Sequence, residues 1–257
     1  MNRLISTVVI ALVFTSAFSQ KLPLNTASKH QMLYYLSLPK QWSADKKWPI
    51  LLVLESANKE FEKNAQLFID NRADLPFIIV APVNVNNGNM GRKDPAVFPY
   101  SKEAWSEIDR VGDCKFNMEG ILTIVDDVQK KYNGEKQIYA TGFEAGTHAL
   151  WPLIFQHPEL LKAAVPVSGN YNSRTCTDLP VSDDPSKKTL IVKAMYGAND
   201  EYGAPSATGK SILYNQYLNA KALAVDHGYE NFTEQAVPNK SHEPLVPEIF
   251  EFLKTLL

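Results

Sequence analysis

Apolar positions along this chain follow two rhythms. Pro49-Ile50-Leu51-Leu52-Val53-Leu54 and Pro76-Phe77-Ile78-Ile79-Val80-Ala81 are unbroken apolar runs. Runs of that length read as strands buried on two faces, as in a parallel sheet. Met32 to Leu38 precedes them and predicts an earlier, partly antiparallel strand. Gln137 to Phe143, Ala163 to Val167, Thr189 to Met195 and Asn231 to Val237 predict further strands. Between them the spacing turns helical. Ile121, Ile124, Val125 and Val128 share one face of a helix over Gly120 to Tyr132. Ala145 to Gln156 predicts a second helix, stopped at His157-Pro158, and Ser211 to Asp226 a third, ended by Gly228. Pro247 to Leu257 predicts a terminal amphipathic helix. Strand and helix alternate from about residue 49, which argues for an α/β domain: a mostly parallel central sheet with helices on both faces.

The first residues have a different character. Asn2 and Arg3 precede an apolar run from Leu4 to Phe14, broken only by Ser6 and Thr7. Ala17 and Ser19 then place small residues at −3 and −1 of a cleavage after Ser19. Residues 1–19 are therefore expected to be a secretory signal peptide, with 20–257 a single domain and no membrane span after cleavage. An uncleaved anchor helix is the alternative. The expected location is secreted or periplasmic.

Composition narrows the classes of function. Apolar residues make up 45% of the 257-residue chain, enough for a large core. The formal charge is −2, with acids and bases interspersed, so no basic stripe suggests nucleic acid as a partner. The two cysteines, Cys114 and Cys176, are compatible with one disulfide in an oxidising compartment or with two free thiols. No resident cofactor is expected.

The chemistry concentrates in Ile138-Tyr139-Ala140-Thr141-Gly142-Phe143-Glu144-Ala145-Gly146. A strand pattern precedes it and a helix pattern follows. Gly142 and Gly146 have the spacing of the G-x-S-x-G nucleophile elbow, a turn too tight for side chains at the two glycines. The region resembles the esterase branch of the α/β-hydrolase superfamily, including secreted polyhydroxyalkanoate-depolymerase-like and feruloyl-esterase-like members. The likeness continues through Pro158-Glu159-Leu160-Leu161-Lys162-Ala163-Ala164-Val165-Pro166-Val167-Ser168-Gly169, and more weakly from about residue 34 to the C-terminus.

The resemblance implies the α/β-hydrolase fold and a chain order of nucleophile, acid, histidine. Glu144 stands where that family keeps its serine. Asp200, in Tyr196-Gly197-Ala198-Asn199-Asp200, matches the acid, with Glu201 as the nearby competitor. His242, in Ser241-His242-Glu243-Pro244, matches the base. The oxyanion-hole candidates are Ala145 and Ser56. Relatives usually carry His-Gly after the first buried strand, whereas Glu55-Ser56-Ala57-Asn58 lacks both and adds a negative charge.

A carboxylate attacking an ester would give an anhydride, so Glu144 does not suit acyl transfer. The expectation is an esterase-like fold without serine-esterase activity, binding a small ester or carbohydrate-like ligand. The alternative is a hydrolase with altered chemistry, in which Glu144 acts as nucleophile or general base with His242 and Asp200. An ion pair between Glu144 and His242, with Asp200 on the other side of the ring, would favour protonated imidazole. His148, four residues on from Glu144, offers with it and His242 a dispersed set of metal ligands, but the tight spacing of a metal site is missing. Trp105, Trp151, Tyr171, Tyr196 and Tyr202 are candidates either to line a ligand cleft or to pack the interior.

Overall fold

A computed structural model describes residues 21–54, 58–85, 91–172, 176 and 180–257. The proposed signal peptide, Glu55 and Ser56 lie outside the described residues. Among the described residues, eight strands form one sheet: β1 (Leu24–Thr26), β2 (Leu33–Ser37), β3 (Ile50–Leu54), β4 (Ile78–Pro82), β5 (Ile138–Phe143), β6 (Leu161–Val167), β7 (Ile191–Gly197) and β8 (Asn231–Val237). Their spatial order is β1-β2-β4-β3-β5-β6-β7-β8. The β1–β2 and β2–β4 pairs are antiparallel and every other pair is parallel.

Among the described residues, six α-helices accompany the sheet: α1 (Phe61–Asn71), α2 (Lys102–Val111), α3 (Asp113–Lys131), α4 (Thr147–Gln156), α5 (Ile212–Asp226) and α6 (Val246–Lys254). The apolar runs explain the layering. Every residue of β3 and β4 is buried. Successive side chains of a strand point to opposite faces, so helices must cover both sides. At the margin β8 is mostly exposed, as an edge strand can be. α4 is the most enclosed helix, with nine consecutive residues, Thr147 to Phe155, buried.

All seven strands expected from the sequence are present, with ends shifted by a few residues. β1, α1 and α2 are additional. β1 is three residues long and half-exposed, too short to show a periodicity. α3 starts at Asp113, two turns before its apolar face becomes regular. Among the described residues, no helix is long and apolar enough to cross a membrane.

Cys114, in the first turn of α3, is joined to Cys176, in the segment after β6; their Cα atoms lie 5.6 Å apart. The disulfide left open by the sequence is thus formed, and it closes a 62-residue separation.

Candidate active site

The sheet places its candidate groups at the C-terminal ends of neighbouring parallel strands, the usual location of function in such sheets. β5 is central. Its Gly142 is paired with Leu54 on β3 and with Pro166 on β6. The chain then turns abruptly. Phe143 is still extended, with φ −106°. Glu144 has φ +48°, and Gly146 is already right-handed helical, with φ −59°. A single 3₁₀ turn, Glu144–Gly146, leads into α4.

The glycine spacing has a direct steric cause. A Cβ on Gly142 would stand 3.0 Å from the carbonyl carbon and oxygen of Gly146 and 3.2 Å from the Thr147 nitrogen. These are backbone atoms that cannot swing aside. Left-handed backbone at a residue with a Cβ costs about 1–2 kcal/mol, so Glu144 is held there by its surroundings. Thr147 Oγ1 clamps the turn: it lies 2.6 Å from the Glu144 carbonyl oxygen and accepts the Asn170 N–H at 2.6 Å. Ala145, the described oxyanion-hole candidate, follows Glu144 directly and is buried.

Asp200 lies on the loop after β7 and is 2% exposed. Its Oδ1 accepts the backbone N–H groups of Tyr202 and Gly203, both at 2.9 Å. Its Oδ2 accepts the Ser168 hydroxyl at 2.6 Å. His242 Nδ1 approaches the two oxygens at 3.1 and 3.0 Å. Burial alone would raise this carboxyl. The bonds from His242, Ser168, Gly203 and Tyr202 outweigh burial and hold it down at about 2. Asp200 is therefore ionised at neutral pH, Nδ1 carries the shared hydrogen, and Nε2 is the nitrogen turned to other chemistry.

His242 reaches this position because Gly197 has no side chain. A Cβ there would meet the carbonyl oxygens of Ser241 and Lys240 at 2.3 and 2.5 Å. The loop carrying His242 runs against the end of β7 through that gap. The imidazole packs between two rings, Phe143 at 4.8 Å and Tyr202 at 5.2 Å between centroids. Since Phe143 adjoins Glu144, the elbow and the histidine share one site. The hydrogen bond to Asp200 raises the His242 pKa above its usual value; partial burial opposes this, and the charges of Asp200, Glu144 and Glu201 add to it. A Glu144–His242 ion pair, which the sequence left open, is not formed among the described residues: the partner of His242 is Asp200.

Gly142, Glu144, Ala145 and Gly146 thus lie in the turn after β5, Asp200 bonds His242, and His242 packs on Phe143 beside that turn, while Ser56 falls outside the described residues. His148 is 1% exposed within α4, and no group of three or more His, Cys, Asp or Glu among the described residues could hold a metal ion. The five aromatic candidates separate. Trp105, Trp151 and Tyr196 are buried, and Tyr171 packs on Trp151 and Phe155. Tyr202 is 47% exposed and lies on His242. Two hollows of about 400 and 470 Å³ flank Cys176 and share Pro152 and Gln156, but Glu144, Asp200 and His242 line neither.

Ser168, Phe143, Gly197 and Gly203 are contributors that sequence reasoning did not single out. Ser168 carried a usable signal. It is the first polar residue after an apolar strand, at the same sheet edge as the elbow and the acid.

No protein-family model matches the chain, and no curated protein sequence matches it. Solved structures do. A poly(3-hydroxybutyrate) depolymerase, LpqC, from Bordetella parapertussis superposes with a TM-score of 0.60 at 13% identity, covering 91% of this chain and 89% of that one. The Bacillus cereus carboxylesterase gives 0.57 at 16% identity, covering 90% and 97%. A thermostable esterase gives 0.54 at 15% identity over 91% of this chain, which spans 60% of the esterase's length. At such identities the likeness concerns the fold, and the fold is the α/β-hydrolase fold.

Proposed function

We propose that this α/β-hydrolase-fold chain is an exported, esterase-like protein that has lost ester hydrolysis and binds a small ester or carbohydrate-like ligand at the elbow. The observation that carries the reading is Glu144 at the apex of the turn, with φ +48°. Acyl transfer at that apex needs a hydroxyl or thiol whose proton passes to the histidine. A carboxylate that attacked an ester would form an anhydride. Its charge also favours imidazolium at His242, which cannot act as a general base. The first helical turn beside Glu144 offers a positive dipole end. In a serine esterase that field assists an oxyanion; here a fixed carboxylate occupies the same region.

Assaying a panel of esters with the wild type and with Glu144→Ser tests this. The wild type is expected at background. Turnover appearing only in the serine variant would mean that Asp200, His242 and the oxyanion donors are in working order and that Glu144 silences them. Wild-type turnover that disappears in Glu144→Ala would overturn the reading.

One observation favours a second reading, a hydrolase in which Glu144 attacks alkyl carbon or activates water. The Asp200–His242 pair is fully assembled, with four groups donating to the carboxylate. On that reading, hydrolysis is measurable in the wild type and is abolished by both Glu144→Gln and His242→Ala.

A further inference from the structure

Asp200 and His242 belong to the loops after β7 and β8, yet the carboxylate is also gripped from β6. We propose that Ser168 is a positioning residue for the Asp200–His242 pair: its buried hydroxyl fixes the orientation in which the carboxylate receives the imidazole. This inference rests on the reading that the pair serves the elbow site.

The bonding pattern of the carboxylate makes the argument. Oδ1 has two backbone donors, Tyr202 and Gly203. Oδ2 has one fixed donor besides the imidazole, the Ser168 hydroxyl at 2.6 Å. Without it, every immobile donor would lie on Oδ1, and the carboxylate could turn about its own axis to suit them. Ser168 is 2% exposed and its hydroxyl bonds Asp200, so it acts on His242 through that carboxylate.

Two backbone facts agree with a residue selected for its side chain. Ser168 has φ +44°, a conformation in which glycine is the cheapest choice. Its N–H is tied to the Met195 carbonyl at 2.8 Å, which locks the strained residue to β7. Opposite it, Gly203 leaves the necessary space. A Cβ at Gly203 would lie 2.4 Å from Asp200 Oδ2 and 2.7 Å from Ser168 Oγ. The hydroxyl, the carboxylate and the bare glycine thus fit as one unit.

The test is the titration of the His242 ring, followed by imidazole NMR signals in the intact, disulfide-bonded chain. Wild type, Ser168→Ala and Ser168→Gly are compared, and His242→Gln identifies the signal. The groups acting on the ring are the carboxylates of Asp200, Glu144 and Glu201, with Phe143 and Tyr202 as uncharged walls. With the carboxylate free to turn, its hold on the imidazolium weakens. The midpoint should fall by about half a pH unit in both variants, roughly a threefold loss in proton affinity. Glycine suits the left-handed backbone, so Ser168→Gly is expected to stay folded. An unchanged or raised midpoint in either folded variant overturns the proposal. Loss of the fold in Ser168→Gly would overturn it as well, by making Ser168 a structural residue. Ester turnover by the wild type would remove the non-hydrolytic reading and leave the titration result standing.

Discussion

Replacing Glu144 by alanine and, separately, by glycine isolates the backbone contribution at the apex of the elbow. Both variants delete the same half-buried carboxylate and differ only in one Cβ. At an ordinary right-handed position, alanine is the more stable of the two by about 0.5–1 kcal/mol, because glycine loses more conformational freedom on folding. At φ +48° the Cβ instead costs about 1–2 kcal/mol. The two effects oppose each other, and the difference favours glycine by about 0.5–1 kcal/mol. A urea slope of about 2–3 kcal/mol per M converts this into a midpoint about 0.2–0.5 M higher for Glu144→Gly than for Glu144→Ala. Unfolding followed by circular dichroism at equal protein concentration measures it. An alanine variant as stable as the glycine variant, or more so, would place residue 144 in regular helix and remove the geometric basis of the site.

Gly197→Ala should drive the Ser241 carbonyl, 2.3 Å from the added carbon, off the end of β7. Its expected cost is about 1–3 kcal/mol in thermal unfolding, with the His242 titration midpoint falling toward that of a free imidazole. Asp200 is depressed from 3.8 to about 2, so its contribution of about 2 kcal/mol is complete above about pH 4 and lost as pH falls through about 2. Acid unfolding of Asp200→Asn should lack that limb. His242 is raised above 6.5; its contribution is full below about pH 6.5 and is lost as pH climbs through the folded value. A His242→Gln variant should therefore lose less stability than the wild type as pH rises above about 6.5. Breaking the Cys114–Cys176 bridge, which spans 62 residues, should cost about 4 kcal/mol by the loop-entropy estimate, read as a lowered urea midpoint in the double serine variant.

The parallel sheet was legible because a short unbroken apolar run is too brief for a buried helix and too apolar for an exposed loop. Ile50 to Leu54 and Ile78 to Ala81 could hardly be anything but buried strands. The elbow was legible because its glycines answer a steric demand that is local in sequence, the Gly142–Gly146 approach. Asp200 and His242 followed from chain order and resemblance. The polar scaffold was not legible. Ser168 and Asp200 are 32 residues apart, and nothing in either neighbourhood announces the bond. Gly197 and Gly203 were hidden for the same reason: each is a glycine because of atoms that only tertiary packing brings near. α1 and α2 were passed over because they lie among polar residues, with three buried positions each. Of the aromatic candidates, Trp105 and Trp151 take the packing alternative that their size and apolar surface also allowed.

The Cys114–Cys176 bond also has a topological consequence. β5, the Glu144 turn, α4 and β6 all lie between the two half-cystines, so the segment bearing the apex is a covalent ring hung on the rest of the chain. A protease that cuts once inside the ring leaves both fragments linked. Such a nicked molecule keeps its full mass on a non-reducing gel and falls into two pieces only when thiol is added. The elbow can thus be cleaved nearby and still be held to Asp200 and His242, which lie outside the ring.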